Sequence, residues 1–145
     1  MADDLSRWSD GSVKPKHITQ EFSRALKSLQ AAKILIAEDL IEDAISRSYY
    51  AVMHAARAAL LFHDVIAESH TALRRLFGLE LIKPERLEKE WAAILSREQT
   101  QRSIADYDVE VVWNREIASD LIDDAHLFVE RIRVYLTVEG VSLDA

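Results

Sequence analysis

An all-α fold, an antiparallel up-and-down bundle of about five helices, is what this sequence predicts, and three observations predict it. Apolar residues recur at spacings of three and four along several long stretches. Helix breakers are scarce, with three glycines and two prolines in 145 residues. No segment carries the sustained alternation that a set of paired strands requires. A chain of this length fits one domain with one core, and needs neither metal nor disulfide staples.

The first helix is expected over residues 18–37, where Phe22, Ala25, Leu26, Leu29, Ala32 and Ile36 share a face and Thr19 is placed to cap the start. Residues 1–16 read as a polar arm, without the apolar stretch of a signal peptide. Trp8 in that arm is expected to be ordered by a partner or not at all. The second helix runs over residues 40–63 with no Gly or Pro, long enough for roughly six turns. After a bend, Ser69 can cap a shorter helix carrying Leu73, Leu76, Phe77 and Leu81, with Gly78 leaving its end open. Pro84 suits the first turn of a fourth helix, with Leu87, Trp91, Ile94 and Leu95 on its inner face and fraying near Gln101. Residues 106–113 alternate weakly at Val109, Val111 and Trp113, but a lone strand has no partner, so they read as an ordered loop. Asn114 is a good cap, with Glu116 in the first turn, for a last long helix on Ala118, Leu121, Ile122, Ala125, Phe128, Val129, Ile132 and Leu136 that Gly140 ends. The domain is therefore placed at residues 17–140, between the arm and a short tail at 141–145.

Composition narrows the function classes. Cysteine is absent, which removes disulfide frameworks, thiol catalysis and Cys-based zinc sites, and fits a reducing, cytoplasmic setting. No run of about 18 apolar residues exists, so no membrane span is expected. A formal net charge of −7 argues against nucleic-acid binding by bulk electrostatics, so any polyanion contact must be local. Arg74, Arg75, Arg97 and Arg102 offer the fork geometry that suits phosphate, although solvated helix faces account for such residues as well.

The second helix carries the chemistry. At 3.6 residues per turn, Ile45, Tyr49, Val52, Ala56 and Leu60 form one apolar stripe, and almost opposite lie Arg47, Tyr50, His54 and Arg57 at spacings of three, four and three. Beside that polar line Ala51, Ala55 and Ala58 leave the backbone approachable, an edge for a second protomer or a ligand. Arg47 and His54 are about 10 Å apart along the axis on one side, and long side chains can converge on one phosphodiester. A histidine that titrates near neutrality can move the 2′-hydroxyl proton while an arginine neutralises the charge building on phosphorus, with no metal required. By itself such a pair is as compatible with a surface pair or an internal hydrogen-bonded pair.

The run from Ser46 to Leu61, SRSYYAVMHAARAALL, resembles the core motif of small bacterial and archaeal HEPN proteins, in which Arg-x-Tyr-Tyr-Ala leads to His-Ala-Ala-Arg-Ala-Leu-Leu. Ser69-His70, the stretch from Arg102 to Tyr107, and the stretch from Ala125 to Ile132 are similar to further pieces of that family in the same order, so the likeness covers roughly residues 18 to 138. The resemblance implies a helical bundle that usually dimerises, with the Arg and His of each second helix facing a cleft near the two-fold axis. Arg47 and His54, six residues between them, match the family's Arg-x4-6-His motif and are the expected catalytic pair. Many members are metal-independent endoribonucleases, several of them toxins held by a nucleotidyltransferase-like antitoxin partner. Others are inactive modules that bind a nucleotide or such a partner, which is the alternative reading here. One departure is visible: Ala56 stands where many nuclease-type members have a tyrosine, which argues against regulation by nucleotidylation at that position.

Among the remaining candidates, Tyr50, Arg57 and His70 are expected to help hold RNA. Tyr50 can stack on a base or cover an interface, and His70 either joins the Arg47/His54 cleft or packs against its loop. Arg102, Asp106 and Tyr107 are expected to form a salt-bridged corner fixing the loop before the last helix, and Trp91 to lie in the core. His54, His63 and His70 form no i, i+4 metal pair with a neighbouring carboxylate and His126 lies alone, so no metal and no cofactor are expected. Gly-rich phosphate loops, Ser/His/Asp sets and dinucleotide fingerprints are missing from the sequence.

Overall fold

The computed structural model describes residues 13–143 and shows five α-helices, with no strand among the described residues. They are α1 (Val13–Ala37), α2 (Ile41–Phe62), α3 (His70–Phe77), α4 (Lys89–Tyr107) and α5 (Arg115–Val138). α3 runs on into a π-helical turn, Gly78–Ile82. The helical bundle read from periodicity is the fold observed. α2 is its axis: the short link after α1 folds it back along that helix in the most extensive pairing of the bundle, and α5 and α4 cover its other sides.

The apolar stripe of α2 explains this central place. Ile45, Tyr49, Val52, Ala56 and Leu60 are all fully buried, in a core whose largest members include Phe22, Phe77 and Phe128. Burying one such aromatic side chain contributes roughly 2–3 kcal/mol from lost water contact. Ala51, Ala55 and Ala58 are also fully buried within the single chain. The alanine edge is thus occupied by intrachain packing, which corrects its reading as a free edge for a second protomer or ligand: small residues let the bundle's own helices approach α2 closely.

Helix ends follow their local chemistry. Ser69 caps α3 by accepting from the Ala72 N–H at 3.0 Å, and Asn114 caps α5 by accepting from the Ile117 N–H at 2.8 Å. After α1, α2, the π-turn and α5, one residue turns into the left-handed region at Asp39, Asp64, Glu85 and Gly140, and the next N–H bonds back five residues. These are Schellman closures, in which the last carbonyls find donors.

Four boundaries differ from expectation. α1 begins at Val13 rather than near Ile18, because Pro15 in the first turn lacks only an N–H that would be unpaired there anyway. Thr19 therefore lies inside the helix and donates to the Pro15 carbonyl at 3.0 Å instead of capping. Pro84 sits in the turn before α4, which starts only at Lys89. α4 continues past Gln101 to Tyr107, held by an ion pair of Arg102 with Asp106 at 2.8 Å, one turn apart. Val141 and Leu143 pack against the core and are not a detached tail. Trp8 and the rest of residues 1–12 lie outside the described residues. No described helix is long and apolar enough to cross a membrane.

Candidate active site on the second helix

The polar line of α2 is partly exposed along its length: Arg47 is exposed, and Tyr50, His54 and Arg57 are half-buried. Its neighbours divide it. On the α1 side, the His54 Nδ1 is hydrogen-bonded to a carboxylate oxygen of Glu21. A carboxylate only accepts, so Nδ1 carries a proton there and Nε2 is the nitrogen left to take one. His54 Nε2 has no partner among the described residues. Glu21 lies 33 positions before His54 in sequence, and a lone Glu on a helix face gave no signal of this pairing.

On the opposite side, Tyr50 accepts from the Arg102 guanidinium at 2.8 Å, and its ring lies between Arg102 and Arg47, at 5.3 and 5.7 Å from its centroid. Arg47 makes no ion pair among the described residues, leaving its charge available. Fully buried Tyr49 bonds His70 through its hydroxyl. Burial pushes the Tyr49 phenol up to about 12, so it is a standing donor and the His70 Nδ1 an acceptor. His70 is held below the usual histidine range by burial, with Arg102 and Arg57 nearby. His70 is thus a neutral group against Tyr49, on the arginine side of the line and not beside Glu21 and His54.

Arg57, Arg102 and Arg74 all act electrostatically on Tyr49, so three cations gather around this tyrosine in an acidic chain. Arg102 is answered by Asp106, and Asp106 also accepts from Ser46. The expected salt-bridged corner therefore forms, except that Tyr107 is 76% exposed and takes no part. Arg97 is paired with Asp124. Trp91 only half covers the core, edge-on to Phe128, and donates to Glu88 at 2.7 Å.

Beneath the line lies a second unforeseen group. Glu98 of α4 is 1% exposed, and its only hydrogen-bond partner among the described residues is the Ser48 hydroxyl, 2.8 Å away, which is also 3.1 Å from the Leu121 carbonyl. One hydroxyl hydrogen cannot serve both acceptors. A protonated Glu98 donating to Ser48, with Ser48 donating to Leu121, gives each of these contacts a hydrogen and leaves only Glu98 Oε2 unmatched, and burial raises this carboxyl to about 8. Trp91, Leu95, Glu98 and Arg102 at spacings of four, three and four are the signal that could have found it, a core line continued by charged residues. Position 56, where a tyrosine is usual in the nuclease-type pattern, is fully buried as Ala56.

Comparison with known proteins fits these features. The profile of the HEPN domain matches residues 20–135, and this chain belongs to the HEPN domain family. Among its relatives is the protein named "Putative toxin MJ0605" of Methanocaldococcus jannaschii, 34% identical over 109 residues that make up 75% of this chain and 81% of that protein. "Putative toxin MJ0142" of the same organism is 26% identical over 126 residues, 87% of this chain and 86% of the relative. A UPF0332 protein of Gloeobacter violaceus is 42% identical over 84 residues, 58% of this chain and 67% of its own length.

Proposed function

We propose that the protein is a metal-independent endoribonuclease of the HEPN type, cytoplasmic, and the toxin of a pair whose antitoxin is a nucleotidyltransferase-like partner. The observation that carries the reading is the Glu21–His54 bond with an exposed Arg47, which makes no ion pair among the described residues, two turns before it on the same helix face. His54 Nε2 takes the proton of an RNA 2′-hydroxyl. The 2′-oxygen attacks phosphorus, the bond to the 5′-oxygen breaks, and Arg47 balances the charge that builds on the phosphoryl oxygens. The leaving 5′-oxygen receives a proton from the histidinium of a second copy in a homodimer, and a 2′,3′-cyclic phosphate remains. Glu21 holds the ring through Nδ1 and fixes which nitrogen faces the RNA, as the carboxylate of a hydrolase triad does. Tyr50, Arg57 and His70, the last set against Tyr49 and away from His54, help to hold the RNA, and the cations gathered around Tyr49 provide the local positive ground that a chain of net charge −7 needs to hold a polyanion. The relatives named as toxins support the biological role.

The test is incubation of wild type, Arg47→Ala and His54→Ala with mixed RNAs in EDTA, followed by a denaturing gel and end-group analysis. Cleavage to cyclic phosphate ends by the wild type, reduced about 10²- to 10⁴-fold in each variant, is expected. RNA left intact by the wild type overturns the nuclease reading in favour of a binding module.

A further inference from the structure

Next to His54 the structure holds a cleft of about 590 Å³ between α1, the last turns of α2 and the segment that leads to α3. Two of its walls already belong to the site: Glu21, which holds His54, and Arg57, one turn further along α2. The rest is of three kinds, of which His17 and Arg24 of α1 are the basic one. Leu61, Val65 and Ile66 supply apolar surface, while the exposed Gln20 and Glu68 stand at the rim with acceptors and a donor. Arg57 makes no ion pair among the described residues, and its Nε is buried without an acceptor.

We propose that this cleft takes one nucleobase of the RNA, that of the nucleotide beside the scissile phosphate, and so sets where the chain is cut. The proposal rests on the nuclease reading above. The volume lies in the range of small-molecule sites, in which apolar walls hold a flat ligand and a few polar groups choose its orientation. A phosphate reaching Arg57 places its base toward Leu61 and Val65 and keeps the adjoining 2′-hydroxyl on the His54 side. The base edge then meets Gln20 and Glu68, which discriminate among bases because an edge of the wrong pattern leaves a rim group unpaired. The arginine side of α2 follows the sugar-phosphate chain away from this pocket.

The experiment maps cleavage positions on an RNA library randomised at the nucleotides flanking each cut, for wild type, the Gln20→Ala/Glu68→Ala double variant and Ile66→Trp. The first variant changes only exposed side chains and the second fills the cleft; thermal unfolding by circular dichroism confirms that each is folded. A base preference in the wild type that falls by about tenfold in both variants is expected. An unchanged preference in folded variants overturns the pocket while leaving the nuclease reading intact. If the wild type cuts nothing, the nuclease reading fails, and equilibrium dialysis with the four nucleoside monophosphates judges the cleft by itself. Binding by the wild type that Ile66→Trp abolishes upholds a base pocket, and no binding of any of the four overturns it.

Discussion

Two glutamates meet α2 from neighbouring helices, and their surroundings give the same side chain opposite tasks. Glu21 reaches His54 at the edge of a cleft, its side chain 18% exposed, and acts as an acceptor that orients a ring. Glu98 reaches Ser48 from the interior at 1% exposure with no cation bonded to it among the described residues, and there the neutral acid is the form the fold can hold. A carboxylate at the rim can serve a proton-transfer group, whereas a carboxyl in the core is a packing element whose proton is part of the fold.

The largest effect should come from ionising Glu98. Its carboxyl keeps its proton to about pH 8 in the fold and only to about 4.5 in the unfolded chain, so the native state binds more protons between those values. Stability is then greatest below about pH 4.5 as far as this group is concerned, falls as pH rises, and levels off above about 8. The loss is on the order of 3–5 kcal/mol. Urea unfolding of wild type and Glu98→Gln from pH 5 to 9 measures it, since the amide can still donate to Ser48 but does not titrate. Equal slopes in the two proteins would show that the buried glutamate is not a stored proton.

Glu21→Gln sharpens the other half of the comparison. Stability should change by less than about 1 kcal/mol, since the amide oxygen still accepts from the ring. RNA cleavage should fall about 10²-fold or more, because a neutral amide fixes the ring and its tautomer less firmly than a carboxylate does. A variant as active as wild type would reduce Glu21 to a surface partner of His54. His70→Ala should cost much less, about tenfold and mainly in KM, because a neutral ring against Tyr49 holds RNA without transferring protons. A fall in kcat matching that of His54→Ala would mean that both histidines act in the chemistry. The smallest effect is Tyr49→Phe, which leaves the His70 Nδ1 without its donor and should lower unfolding stability by about 1–2 kcal/mol with cleavage little changed.

The sequence showed the bundle where apolar periodicity was long, as on Phe22 to Ile36, Ile45 to Leu60 and Ala118 to Leu136, and where caps such as Ser69 and Asn114 have a local mechanism. It found α4 but missed where that helix ends, because the core line there passes into Glu98 and Arg102, and an apolar pattern cannot register a last turn held by an ion pair and a protonated acid. Arg47 and His54 were legible since seven residues are close to two whole turns, a property of one helix. The sequence by itself therefore determined the helical class and the line of polar residues along α2, both of which follow from spacing within single segments. Only the tertiary structure decided that Glu21, 33 residues away, meets His54, that His70 turns to Tyr49, and that Ala51, Ala55 and Ala58 lie inside the chain. Those facts depend on how helices distant in sequence are brought together, and periodicity along one helix carries no information about which side chain the next helix sets against it.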